Sequence, residues 1–323
     1  MDPLNITNYQ PGAPLVPSPL PLSHAESDGN KIVELFQDLG HTTFWKRRDT
    51  YEPEGMVPLG SDRFVVSGGQ YTEATVKYNK TINGTDHTAG AGFAHLIVFS
   101  ANGSRIADAT ITPQDALEYH NDGIDYDGSH IWSTIAKYLP NSTAHVDKVD
   151  PHTMYPHTVL HIKDHEVGIV HDILTNDVWT LNWGGRNVSE FDLNCLPADA
   201  AEDGIFTQPD RSNSEPIFLT RHSPLHPNAG PLVLCSGVAT ISTYNLGGIA
   251  IVDLDTMLPL MEIPIPMVSA KGVAMTENSC DASVTEDGRL RMYWLSDQHN
   301  STLDMYEAQP NCPFEFGGTV RAF

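Results

Sequence analysis

The sequence predicts an all-β protein, a β-propeller of five blades, with six as the alternative count. Three observations carry this. From residue 50 onward, short runs rich in β-branched and aromatic residues alternate with turn clusters. Charged residues make up only 18% of the chain, while Gly and Pro number 25 and 23, which suits a turn-rich β protein better than a helical bundle. Two short patterns also recur, the first at an interval of blade length, which a sandwich would not show.

The elements follow in chain order. Residues 1–29 hold six prolines, among them Pro17, Pro19 and Pro21, and little that packs, so they are expected to form a flexible arm. Residues 30–323 are expected to form a single propeller domain. Lys31–Leu39 is amphipathic and fits one or two helical turns. Thr42–Lys46 is expected to supply the outer strand missing from the last blade and so close the ring. Strand-like runs follow at Phe93–Phe99, Ile131–Ile135, Val178–Leu181, Val188–Leu193 and Gly248–Leu254.

The first repeat is H-x-x-G-I-x-x-D. It runs His120–Asp127 and again His165–Asp172, each followed by a strand carrying Trp132 or Trp179. Weaker copies start at Gly55-Met56 and Gly272-Val273. The second repeat is V-D-x-x-T-M-x-P, at Val149–Pro156 and Val252–Pro259, each in a turn between apolar runs. Gly55, Gly123, Gly168 and Gly272, with a unit near Gly230, divide the chain into five stretches.

Composition excludes some functions. Eighteen Lys and Arg against 41 Asp and Glu give a net charge of −23. Such a surface repels nucleic acid and anionic membranes, so neither is an expected partner. No apolar run approaches the roughly 18 residues of a transmembrane helix.

Seven N-x-[ST] sequons, at Asn5, Asn79, Asn83, Asn102, Asn141, Asn187 and Asn300, point to a glycosylated secretory protein. No basic and apolar leader opens the sequence, and the expectation is a secreted protein whose leader is missing from it. The four cysteines form no C-x-x-C pair. In a secreted chain the expected disulfides are Cys195–Cys235 and Cys280–Cys312, buried free thiols being the alternative.

The H-x-x-G-I motif should open the innermost strand of a blade. Residues three before each Gly then lie near one rim of the channel. These are Glu52, His120, His165 and Ser269, with His222 or His226 nearest in the irregular unit. Two imidazoles and a carboxylate there could do acid–base work near neutral pH. His171 and Asp172 are adjacent in a strand, face opposite ways and form no dyad. Asp127 and Asp172 are read as turn-fixing residues. No H-x-H pair or Glu, Asn and Asp set on three inner strands is evident. No metal and no cofactor are therefore expected.

The sequence also resembles a family of β-propeller proteins found in bacteria and fungi. The matching stretches are YHNDGIDYDG (Tyr119–Gly128), AKYLPNS (Ala136–Ser142), DHEVGIVHD (Asp164–Asp172), NWGGR (Asn182–Arg186), LCSGVA and GGIAIVDL. Where that family often has H-P-G-G, this chain has His120-Asn121-Asp122-Gly123. Secreted fungal members include the hetero-Diels–Alderases of tropolone sesquiterpenoid biosynthesis. The resemblance implies an enzyme of that secondary metabolism. It would dehydrate a hydroxymethyl tropolone to an ortho-quinone methide and direct its cycloaddition with a humulene-type sesquiterpene. Under that reading, the rim residues His120, His165 and Glu52, together with Arg186, are the candidate catalytic residues. Trp183 with Arg186, Lys271, Ser269 and His222 would bind substrate. The rivals are a metal-dependent lactonase-like hydrolase and a non-enzymatic ligand-binding propeller. A homodimer is compatible with any of these.

Overall fold

The computed structural model describes residues 6–7, 40–60, 62–82, 85–185, 187–202, 204–213, 232–284 and 290–307. All their regular structure is β-strand. Among them, no helix is long and apolar enough to cross a membrane.

The chain opens with β1 (Ile6–Thr7) and β2 (Gly40–Asp49). Sheet 1 follows, from β3 (Glu52–Pro58) and β4 (Arg63–Glu73), through the ribbon of β5 (Lys77–Ile82) and β6 (Thr85–His87), to β7 (Ala91–Ser100) and β8 (Arg105–Thr110). Sheet 2 comprises β9 (His120–Tyr126), β10 (Ile131–Ala136), β11 (Ala144–Val149) and β12 (Pro156–Ile162). Sheet 3 comprises β13 (Glu166–Asp172), β14 (Asp177–Asn182), β15 (Val188–Asp192) and β16 (Arg211–Asn213). In sheet 4 the described strands are β17 (Leu232–Ile241), β18 (Tyr244–Asp253) and β19 (Leu258–Ile265). Sheet 5 comprises β20 (Ser279–Val284), β21 (Leu290–Leu295) and β22 (Asn300–Glu307), completed by β2.

Each sheet is an antiparallel meander, and the architecture is that of a β-propeller. Strand β2 pairs antiparallel with β22, Gly40 opposite Glu307 and Asp49 opposite Asn300. The chain's early and late strands thus share one sheet, as the Thr42–Lys46 reading anticipates. This covers the edge of β22 and leaves β2 as the outer strand of sheet 5. Ahead of β2, Ile6–Thr7 pairs with Asp108–Ala109 of β8, so this part of the arm lies docked.

The core lies between sheets. Val65, Leu96 and Val98 of sheet 1 pack on Ile124, Ile131 and Val149 of sheet 2. Trp132, Val146 and Leu160 meet Ile169, Val178 and Phe191 across sheets 2 and 3. Val170 and Trp179 meet Val233 and Val252 across sheets 3 and 4. Leu234 and Ile251 meet Met292 and Trp294 across sheets 4 and 5. Finally Tyr293 and Leu295 return to Phe64 and Ile97 of sheet 1. Every sheet buries both faces, which is why strands such as β9 and β10 are buried along their whole length.

Two repeat glycines are explained by close approach of neighbouring inner strands. A Cβ on Gly55 would lie 2.6 Å from Ile124 N, and one on Gly123 would lie 2.6 Å from Val167 O. Backbones this close leave no room for a side chain. Gly272 departs from the expected pattern. It sits in a turn at φ +84° and does not open an inner strand; that strand, β20, begins at Ser279. Ser269 and Lys271 therefore lie on a loop. The V-D-x-x-T-M-x-P repeat forms the same turn twice, joining β11 to β12 and β18 to β19. Buried Met154 and Met257 have φ of 57° and 55°. Asp127 and Asp172 cap turns through backbone N–H groups, Asp127 at Ser129 and His130 and Asp172 at Leu174.

The Cys195–Cys235 disulfide is not formed. Cys195 is exposed in the turn after β15, whereas Cys235 points into the core between sheets 3 and 4, and both are free thiols. Cys280 Sγ lies 2.9 Å from Ser236 Oγ, while Cys312, its expected partner, lies outside the described residues. Of the sequons, Asn79, Asn102, Asn141 and Asn300 are exposed and Asn187 is half-buried; Asn5 and Asn83 are outside the described residues.

Candidate active site

Strands β3 and β9 begin at Glu52 and His120, and His165 immediately precedes β13. Because these strands lie side by side, their starts converge at one end of the sheets. His120 is 3% exposed. Its Nδ1 lies 2.7 Å from Asp122 Oδ1, and the other Asp122 oxygen lies 3.2 Å from His165 Nε2. One carboxylate thus bridges two imidazoles. His165 Nδ1 faces the Leu139 carbonyl at 3.3 Å. His120 Nε2 makes no hydrogen bond; the nearest carboxylate oxygens are Glu52 Oε2 at 3.6 Å and Glu54 Oε1 at 3.7 Å.

Glu52 is held from two directions. Tyr71 donates its hydroxyl to Oε2 at 2.7 Å, and Gln298 Nε2 donates to Oε1 at 2.6 Å. The Gln298 contact joins opposite ends of the sequence, across the junction of sheets 5 and 1.

An aromatic wall covers the cluster. Tyr138 stacks on His120 with ring centroids 4.6 Å apart, and on Trp183 at 5.2 Å. Trp183 lies 4.9 Å from His165, and Tyr71 packs edge-on against Tyr138 and Tyr119. Trp183 is 38% exposed, so the wall opens to solvent there. Its position follows from sheet pairing: Glu166 opposes Asn182, so the turn after β14 sits beside the start of β13. Trp183 therefore follows a second strand, not an inner one.

The electrostatics separate the groups. Burial alone would lower the His120 pKa, but Asp122, Glu52 and Glu54 outweigh it and hold the imidazole well above its ordinary value. Burial would raise Asp122, and the two histidines instead hold it low. Burial raises Glu54 well above the carboxylate range, helped by Glu52, Asp122 and Glu277 and only partly opposed by His120. Glu52 is lowered, because His120 and Tyr71 outweigh its burial. Beside His165, Glu166 is pushed up to about 8 by burial and by Asp164. The environment therefore pushes His120 and Glu54 toward holding a proton and Glu52 and Asp122 toward losing one, the divergence that acid–base chemistry needs.

The other expected residues fall as follows. Ser269 Oγ donates to Asp297 Oδ1 at 2.6 Å. Lys271 Nζ lies 4.0 Å from Asp297 and donates to the carbonyl of Gln298 at 3.2 Å, the residue whose side chain holds Glu52. Arg186, His222 and His226 lie outside the described residues. The sequence reading missed Glu54, Asp122, Tyr71, Tyr138 and Gln298. For two of these a signal existed: E-x-E-G and H-x-D-G put Glu54 and Asp122 two residues from Glu52 and His120, on the same strand face. Metal-ligating atoms also converge, in Glu52–Glu54–His120 and in His120–Asp122–His165, each set lying within 4.8 Å.

Residues 35–311 match DUF6454, described as a family of unknown function. The chain belongs to this family. No curated protein sequence matches it. Among solved structures, this DUF6454 chain is similar to a luciferin-regenerating enzyme, at 9% identity and TM-score 0.40, over 84% of this chain and 96% of that one. It is similar to the WD40 domain of Toxoplasma gondii coronin at 10% identity and TM-score 0.37, over 84% and 76%. It is also similar to Kuenenia stuttgartiensis hydrazine synthase at 11% identity and TM-score 0.37, over 79% of this chain but only 57% of that one.

Proposed function

We propose that this DUF6454 chain is a five-bladed propeller enzyme of the secreted hetero-Diels–Alderase kind, acting on a hydroxymethyl tropolone and a humulene-type olefin. The observation that carries the reading is His120. It is a buried imidazole whose pKa the surrounding carboxylates raise, with Nε2 unbonded, under a wall of stacked rings. Five sheets joined face to face in series, the last to the first, support the blade count.

The chemistry balances within the site. The Glu52 carboxylate accepts the tropolone hydroxyl proton. His120 Nε2–H protonates the departing hydroxyl, the C–O bond breaks and water leaves. The ortho-quinone methide then forms one C–C and one C–O bond with the olefin, with no further proton needed. The aromatic wall of Tyr71, Tyr138 and Trp183 suits a planar ring, and holding both partners supplies orientation.

A second reading is a metal-dependent hydrolase, favoured by the convergence of Glu52, Glu54 and His120. Product analysis with a hydroxymethyl tropolone and humulene separates the two. The pericyclase reading expects cycloadduct above buffer, unaffected by chelator, and a roughly 100- to 10,000-fold loss in His120→Ala. No wild-type cycloadduct overturns it; chelator-sensitive lactone hydrolysis would establish the second reading.

A further inference from the structure

A second polar group lies on the outer half of sheet 2. His145 on β11 and His161 on β12 are direct cross-strand partners, their rings 5.6 Å apart. Glu118, just before β9, reaches the pair and places Oε2 2.9 Å from His145 Nδ1. One ligand atom from each of the three lies within 4.8 Å of the others.

The surroundings have the form of an outer shell. Asp147 shares the strand face of His145 and puts Oδ2 3.6 Å from His145 Nε2. Its other oxygen accepts the Thr158 hydroxyl at 2.8 Å. The Thr143 hydroxyl donates to Glu118 Oε1. Carboxylates that orient a ligating imidazole, and donors that fix a ligating carboxylate, are the usual support of a metal centre.

We propose that Glu118, His145 and His161 bind a divalent transition-metal ion, Zn²⁺ by donor chemistry, and that this ion pins β11, β12 and the start of β9 together. Two imidazole nitrogens and one carboxylate oxygen suit zinc better than calcium or magnesium. Tetrahedral ligation at zinc bond lengths sets donors about 3.3 Å apart, so donors now within 4.8 Å would draw in by up to about 1.5 Å, a rotamer-scale adjustment. A fourth position stays open to water. The ion would replace the proton shared by His145 and Glu118. Glu118 is two residues before His120, so the ion would also steady the strand that carries the candidate acid.

The test uses the full chain, stripped with chelator and titrated with Zn²⁺, and with Co²⁺ read by its d–d absorption. The wild type should take one tight equivalent and gain melting temperature. His161→Gln and, as a second variant on a more accessible side chain, Glu118→Gln should weaken binding at least about 10-fold. His120→Ala should bind as the wild type does. No tight metal in the wild type, wild-type binding in both outer variants, or loss in His120→Ala with retention in His161→Gln would each overturn the proposal. Metal content is read without any turnover assay, so the result stands apart from the pericyclase reading.

Discussion

Asp122 Oδ1 lies 2.7 Å from His120 Nδ1, inside a site where both side chains are almost fully buried. The contact makes each residue's charge depend on the other. Asp122→Asn leaves a buried imidazole without its nearest counter-charge, so we expect a loss of about 3–5 kcal/mol. The sign follows from the two shifts. His120 is raised, so its contribution is full below the ordinary value of 6.5 and fades as pH rises through the folded value. Asp122 is lowered, so its contribution is present above the ordinary 3.8 and fades in acid. The wild-type advantage over the variant should therefore be largest between 3.8 and 6.5. Urea unfolding of both proteins across pH checks this; a constant difference contradicts it.

Glu166 should act in the opposite sense to an ordinary salt-bridged carboxylate. Its folded pKa of about 8 lies above the ordinary 4.5, so the native state binds more protons than the unfolded one across that interval. Stability due to this group should fall between pH 4.5 and about 8. Glu166→Gln keeps the neutral shape and should remove that slope, making the variant relatively more stable at pH 9 by on the order of a few kcal/mol. Parallel slopes for variant and wild type would show that Glu166 is ionised in the fold.

Ring closure predicts an asymmetry between two truncations. Among the described residues, deleting residues 1–29 removes the short pairing of Ile6–Thr7, and the melting temperature should change little. Deleting through residue 49 strips β2 from β22 and exposes the edge of sheet 5. A large fall, with aggregation, is expected. Equal melting temperatures would mean that β2 contributes nothing to closure.

Gly123→Ala tests the close approach of β9 and β13. The new methyl would sit 2.6 Å from Val167 O and 3.1 Å from Gly168 Cα, both backbone atoms. Separating the strands should cost about 1–3 kcal/mol. It should also shift His165 from Asp122, so any turnover should fall with stability. An Ala variant as stable as the wild type would show that the inner strands have room to part.

Strand content, the two repeats and the outer closing strand were legible in the sequence because they rest on local periodicity and on turn chemistry. Three of the four glycine marks fell on inner strands, and at two of them, Gly55 and Gly123, close backbone packing admits no side chain. The fourth, Gly272, was chosen for a different reason, its left-handed φ, which a sequence pattern does not distinguish. Glu52, His120 and His165 could be grouped in advance because each occupies the same place in its repeat. What only the tertiary structure decided was their company. Tyr71, Tyr138 and Gln298 come from a second strand, a connecting loop and the far end of the chain, and reach the cluster because successive sheets pack face to face and the last returns to the first. Disulfide pairing was lost for the same kind of reason: Cys195 lies on an exposed turn and Cys235 faces a core, a difference set by packing between sheets and not by spacing along the chain.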